Sequence, residues 1–189
     1  MKVKIADIVD FLPSFSFRAR LPACENGAVK IIQMKNIKQN GEIDWNRVVR
    51  VPSESHYEKY FLQTGDVLFL GRGERNVASV IGNDFPMVMT ASYFTAMRLV
   101  DKHVLPEYLV FFLNHSKVQM KLYRKVSGTT VSMIPANELA QLSINIPPLK
   151  IQHQIAEIGK LQCVAEGLES KIQEKRRILI ERKIYEIIK

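Results

Sequence analysis

Two adjacent prolines, Pro147 and Pro148, separate an apolar segment, Ile144-Asn145-Ile146, from a stretch whose apolar residues recur at helical spacing. Proline cannot donate to a sheet ladder and pushes the residue before it out of the α region, so a strand must end here and a helix can begin only afterwards. From Ile151 the stripe runs Ile151, Ile155, Ile158, Leu161, Ala165, Leu168, Ile172, Lys175 and Leu179. Steps of three and four residues define one helix face. A helix over residues 150–189 would be about 60 Å long at roughly 1.5 Å per residue. It would overhang a body of roughly 150 residues, whose radius of gyration is about 15 Å. A second helix, parallel or antiparallel, is the expected partner of the stripe, with the body of the same chain as the alternative. Gly159 and Gly167 lie inside this helix, each costing roughly 1 kcal/mol relative to alanine, which close approach of a neighbour would offset.

Composition limits the rest. The 189 residues, 47% apolar and 24% charged, suffice for one proper core. The start, Met1-Lys2-Val3-Lys4-Ile5-Ala6-Asp7, does not read as a signal peptide, and no apolar run approaches the roughly 18 residues of a membrane span. A cytoplasmic protein is the expectation, with no membrane association. Cys24 and Cys163 are the only cysteines and show no metal spacing, so neither a disulfide framework nor a zinc site is expected. Lysine and arginine number 27 against 19 acidic residues, a formal charge of +8 that favours a polyanionic partner. Residues 150–189 hold 9 basic and 6 acidic side chains, leaving 18 and 13 for residues 1–149, so both parts carry excess positive charge.

Residues 1–149 read as mixed and mostly β. Val29 to Met34 is a strand, Asn40-Gly41 is a hairpin-type turn before Glu42-Ile43-Asp44-Trp45, and Thr64-Gly65-Asp66 leads into the buried strand Val67-Leu68-Phe69-Leu70. Val77 to Ile81 and Ser92 to Val100 supply further strands. One helix, Pro106 to Leu122, places Leu109, Phe112, Leu113 and Met120 on a common side, with Pro106 in its first turn. The fold class is α+β, a globular, mostly β body followed by a long coiled-coil-like helix.

Two polar, glycine-containing loops carry side chains suited to bases and phosphates: Gly71-Arg72-Gly73-Glu74-Arg75-Asn76, and Lys125-Val126-Ser127-Gly128-Thr129-Thr130-Val131-Ser132. Arginine makes paired hydrogen bonds to guanine and asparagine to adenine, while Lys, Ser and Thr hold phosphates. Ordinary solvated turns are the competing reading of both. A dinucleotide-type reading of the first loop fails because a third glycine is missing and no Gly-Lys-Ser or Gly-Lys-Thr occurs. Catalysis finds little support. His56, His103, His115 and His153 show no metal-ligand spacing, neither cysteine has a base beside it in sequence, and Asp66 before an apolar strand reads as turn chemistry.

Three blocks together resemble the specificity subunit of type I restriction-modification systems. They are Phe61-Leu62-Gln63-Thr64-Gly65-Asp66-Val67-Leu68-Phe69, then Leu105-Pro106-Glu107-Tyr108-Leu109 running to Phe112-Leu113-Asn114, and finally Ser127-Gly128-Thr129-Thr130-Val131 running through Leu139 to Ile146-Pro147-Pro148-Leu149-Lys150-Ile151-Gln152-His153-Gln154-Ile155. The resemblance implies a DNA target recognition domain followed by a spacer helix, without catalysis or cofactor of its own. It also implies a modification subunit that methylates adenine as partner, and a restriction subunit in systems that cut. In agreement, the chain contains no Asn-Pro-Pro-Tyr or Asp-Pro-Pro-Tyr methyltransferase motif. Typical family members carry two recognition domains and two helices, whereas 189 residues accommodate one of each, so a half subunit acting as a homodimer is expected.

The resulting expectations are a recognition domain over residues 1–149 and a spacer or dimerisation helix over 150–189. Double-stranded DNA is to be contacted by Arg72, Arg75, Asn76, Lys125, Ser127, Thr129 and Thr130. The partner helix is to be met by Ile151, Ile155, Ile158, Leu161, Leu168, Ile172 and Leu179. No metal site is expected. The alternative is a non-catalytic scaffold or regulatory protein that binds protein partners through the long helix.

Overall fold

A computed structural model describes the chain except for residues 18–20, 73–74, 83–85, 92, 127–132 and 189; for Arg72, Arg75, Lys125 and Val126 it describes the backbone. An apolar run without polar alternation is stable as a strand only when both its faces are covered. β5 (Val67–Arg72) meets that condition at the centre of an antiparallel sheet with β2 (Val9–Leu12), β8 (Phe94–Leu99) and β6 (Arg75–Val80), in the order β2-β8-β5-β6. Val67 and Phe69, with Val9, Ala78 and Met97, face a helical layer built from α1 (Pro106–Asn114), α2 (Ser116–Val126) and α3 (Ala136–Ala140). Leu68 and Leu70, with Val77, Phe94 and Ala96, face the other way. There they meet Ile32 and Val88 from a second sheet.

That second sheet has the order β4-β3-β7, from β3 (Val29–Ile32), β4 (Val49–Val51) and β7 (Val88–Thr90), with β3 antiparallel to β4 and parallel to β7. Its outer face, Val29, Ile31, Val51 and Met89, is covered by Tyr57 and by Phe15 and Phe17. The Phe15 ring lies 4.7 Å from Phe17, 5.1 Å from Tyr57 and 5.2 Å from Tyr60, so edge-to-face packing holds this otherwise irregular segment on the sheet. β1 (Lys2–Lys4) pairs antiparallel with β9 (Ser143–Asn145), which ties the start of the chain to the strand before the prolines. α4 (Leu149–Ile188) follows, one continuous helix of 40 residues. The chain is therefore α+β, as its pattern predicts, and no described helix is long and apolar enough to cross a membrane.

Three local expectations need correction. The strand from Val29 stops at Ile32, because Gln33 donates its N–H to Asn36 Oδ1 at 2.8 Å and opens a single 3-10 turn over Met34–Asn36. The helix expected over 106–122 is two helices that break at His115, whose carbonyl accepts from Val118 and Gln119 at 2.8 and 3.0 Å. The break resets the phase, so Leu109, Leu113 and Leu122 are buried while Met120 is exposed. The Asn40-Gly41 turn forms as read, but as a single bridge between Ile37 and Ile43. Gly41 has φ +83°, and a Cβ there would lie 2.7 Å from the Ala78 carbonyl oxygen, so only glycine suits the position.

Candidate nucleic-acid interface

The first expected readout loop is the end of a hairpin. Gly71 pairs with Asn76 and Arg72 with Arg75, so the β5–β6 ladder runs through most of the segment; residues 73–74 lie outside the described residues. Gly71 explains the extension. A Cβ there would stand 2.9 Å from the Phe69 ring and 3.1 Å from Ile134 Cβ, so a side chain would displace the residue that packs on the strand. Ile134 also donates its N–H to the Gly71 carbonyl at 2.8 Å. The second expected segment therefore returns to the hairpin just after residue 132. Ser127, Thr129 and Thr130 lie outside the described residues, Lys125 belongs to the last turn of α2 rather than to a loop, and Asn76 is half-buried.

Polar contacts invisible to pattern reading hold the hairpin in place. Asn114, the last residue of α1, accepts from the Ala78 N–H at 2.7 Å and donates to the Ala78 carbonyl at 2.9 Å. Its amide thus acts as one residue of an extra strand and satisfies the outer edge of β6. Ser79 Oγ donates to the Gly41 carbonyl at 2.6 Å on the same strand. At the other end of β5, Asp66 is 1% exposed and receives both the Nε and an Nη of Arg98 at 2.8 Å, as well as the Gln63 N–H at 2.7 Å. The Asp66 hydrogen bond holds the Arg98 guanidinium above its ordinary pKa. Asp66 is a structural turn residue, as its sequence context indicated.

On the second sheet Lys30 and Arg50 stand opposite each other across β3 and β4. Burial, and then the Arg50 charge, push the Lys30 amine below its usual pKa. Lys30 lies in the strand that the sequence predicts from Val29, but β4 and its register with β3 do not follow from sequence. Among the described residues no group of three or more His, Cys, Asp or Glu side chains is placed to hold a metal ion.

The proline junction has a polar centre that the apolar pattern did not reveal. Gln152, with 0% exposure, accepts from the Leu105 N–H at 2.9 Å and donates to the His103 carbonyl at 2.7 Å and the Pro147 carbonyl at 2.8 Å. One amide thereby links the strand exit, the helix start and the approach to α1. Tyr108 adds a bond of 2.6 Å from its hydroxyl to the Asn145 carbonyl. Further along, the helix lies on the body through a different face from the expected stripe. A Cβ on Gly159 would lie 2.8 Å from the Phe111 ring, and Asn40 donates to the Cys163 carbonyl at 3.3 Å while the Cys163 thiol donates to the Asn40 carbonyl at 3.4 Å. Burial raises the pKa of that thiol, with Glu166 and Glu42 adding to the effect.

At 3.6 residues per turn, Gln152, Gly159 and Cys163 sit on one side of α4 and Ile158, Leu161, Leu168, Ile172 and Leu179 on the other. Those five residues are between 49% and 66% exposed. Ile151 is exposed as well, and Ile155 packs partly against the body. The body thus takes the small-residue face near the start of the helix and leaves the larger apolar stripe uncovered.

With this geometry in view, the family match covers nearly the whole arrangement. The family described as the type I restriction modification DNA specificity domain matches residues 1–175. The chain belongs to that family. Among the solved structures that share the fold of this specificity-domain chain are three type I restriction-modification chains. A chain reported under the structural basis underlying complex assembly and conformational transition of the type I R-M system has TM-score 0.63 and 18% identity, over 93% of this chain and 43% of that one. The HsdS subunit from Thermoanaerobacter tengcongensis has TM-score 0.59 and 17% identity, over 87% of this chain and 38% of its own. The type I restriction-modification S subunit from M. genitalium has TM-score 0.55 and 16% identity, over 94% and 42%. This specificity-domain chain therefore spans less than half the length of each. Among curated proteins there is no match.

Proposed function

We propose that this chain is a sequence-specific DNA-binding specificity subunit of a type I restriction-modification system, with residues 1–149 as recognition domain and 150–189 as spacer and dimerisation helix. The observation that carries the reading is the meeting of the β5–β6 hairpin, at Gly71, with Ile134, which follows the second expected segment in sequence, in a chain of this family. Arg72, Arg75 and Asn76 read base edges in this proposal, and Lys125, Ser127, Thr129 and Thr130 hold phosphates.

The chain supplies no chemistry of its own in this reading. It directs an adenine-methylating modification subunit, and a restriction subunit where one exists, to the site. The uncovered apolar stripe of α4 favours a helical partner, and a second copy of the chain around a two-fold axis is the simplest one, since self-complementary contacts are the commonest closure among soluble assemblies. The same stripe favours the competing scaffold reading. A salt titration of duplex binding separates the two, because phosphate contacts release counterions and apolar helix pairing does not. The proposal expects affinity to fall steeply and linearly with salt on logarithmic axes; binding that is absent or insensitive to salt supports the scaffold instead.

A further inference from the structure

We infer that the outer face of α2 is a docking surface for the DNA phosphate backbone, an inference that rests on the DNA-binding reading and extends it to residues outside the readout segments. The sequence of α2, Ser-Lys-Val-Gln-Met-Lys-Leu-Tyr-Arg-Lys-Val, contains basic residues and no acid. Its inner side is fixed by Leu122, which is fully buried, and by Val118, packed on the same core. Lys117, Lys121 and Arg124 follow one another by steps of four and three and are all exposed. They therefore share the outer face.

Helix physics alone accounts for only part of this pattern. Arg124 lies near the helix C-terminus, where the macrodipole favours a cation. Lys117 lies in the first turn, where the dipole disfavours one, and the like charges of Lys117 and Lys121 at i and i+4 destabilise an isolated helix. A solvated charged face normally interleaves signs. α4 does so, with Arg177 bonded to Glu174 at 2.9 Å and facing Glu181 at 3.9 Å. α2 has no acid of its own to do this, and a bound polyanion would remove the repulsion.

Dimensions fit the same partner. The three cations span about 10 Å along the helix, and the phosphates of one DNA strand recur at about 3.4 Å along the duplex axis, so roughly three phosphates match three cations. The chain continues from Val126 into the 127–132 segment and returns to the hairpin at Gly71. The basic face is thus directly continuous in sequence with the proposed readout elements.

The test is a combined Lys117→Gln, Lys121→Gln and Arg124→Gln variant of the full chain, measured by fluorescence anisotropy on a duplex that the wild type prefers and on a scrambled one. With about 0.9 counterions released per phosphate contact, the logarithmic salt slope should shrink by about 2.7 and affinity at about 0.1 M salt should fall on the order of 10²-fold, equally for both duplexes. A charge-preserving variant, Lys117→Arg, Lys121→Arg and Arg124→Lys, should keep the slope. Circular dichroism of both should match the wild type and neither should melt earlier by more than about 2 °C, because the replaced side chains are exposed and each change is worth no more than about 0.5 kcal/mol. A slope within about half a unit of wild type in the glutamine variant overturns the inference while leaving the DNA-binding reading in place. A loss confined to the preferred duplex overturns it too, since the residues would then be reading bases. Failure of the wild type to bind either duplex overturns both readings.

Discussion

Replacing Gln152 with leucine tests whether one buried amide holds the recognition body and the long helix together. The change removes the acceptor of the Leu105 N–H and the donor of the His103 and Pro147 carbonyls, three bonds of 2.7 to 2.9 Å. A buried donor left without a partner costs about 1–3 kcal/mol, and each ordinary hydrogen bond contributes about 0.5–1.5 kcal/mol net. The orphaned Leu105 N–H takes the first figure and each of the two lost carbonyl bonds the second. The sum is about 2–6 kcal/mol, partly offset by the apolar transfer of leucine, which leaves roughly 2–4 kcal/mol. At about 2–4 °C per kcal/mol for a chain of this size, melting should fall by roughly 4–16 °C. Urea unfolding followed by fluorescence of Trp45, the single tryptophan, reports the body, and far-ultraviolet circular dichroism reports the helix. Gln154→Leu, at an exposed neighbour on the same helix, should change stability by no more than about 0.5 kcal/mol. If Gln152→Leu is equally silent, the amide does not fasten the junction, and the Pro-Pro-Leu-x-x-Gln pattern has some other cause.

Alanine at Arg72 or Arg75 should cost about 1–3 kcal/mol on the preferred site and relax preference at one position, whereas alanine at Lys125 should weaken all duplexes alike and reduce the salt slope by roughly one unit. Competition with single-base variants of the site checks both. Leu168→Asp combined with Ile172→Asp, at positions 54% and 49% exposed in the single chain, should leave the melting of the monomeric body unchanged. The same change should convert dimers to monomers in sedimentation by placing charges in the helix seam. Exposed Cys24 should react with a maleimide well before Cys163, whose thiol is half-buried and held protonated to higher pH than usual, so the thiolate that attacks is scarce at neutral pH. Mass spectrometry of brief labelling distinguishes the two, and faster loss of the Cys163 thiol would mean that α4 leaves Asn40 in solution.

The sequence was most legible where a backbone rule left few choices. Pro147 and Pro148 ended a strand and started a helix within one residue of the expected place, and the uninterrupted Val67–Leu70 run required a strand covered on both faces. Legibility failed where side-chain hydrogen bonds decide. Nothing periodic marks Asn114 as a substitute strand residue or His115 as a break, so periodicity merges the two helices into one and puts the exposed Met120 on the core side. On α4 the large apolar residues dominated the pattern, while the face that meets the body is built from Gln152, Gly159 and Cys163. Gly159 and Gly167, unfavourable in a helix by propensity, are where it approaches Phe111 and Asn40. At the hairpin, glycine at position 71 suggested a loop, but its missing side chain serves a close contact with Phe69 and Ile134 that lets the ladder continue.

Selection of bound duplexes from a random pool by the purified full chain at moderate salt, followed by sequencing, tests most directly whether this chain reads DNA. A homodimeric reader enriches one defined element in two inverted copies. With a helix of about 60 Å and roughly 3.4 Å per base pair, the copies should lie no more than on the order of 15 to 20 base pairs apart. A single asymmetric element would refute the homodimer while keeping the DNA reader, and a pool that shows no enriched sequence after repeated rounds would contradict the claim that this chain reads DNA.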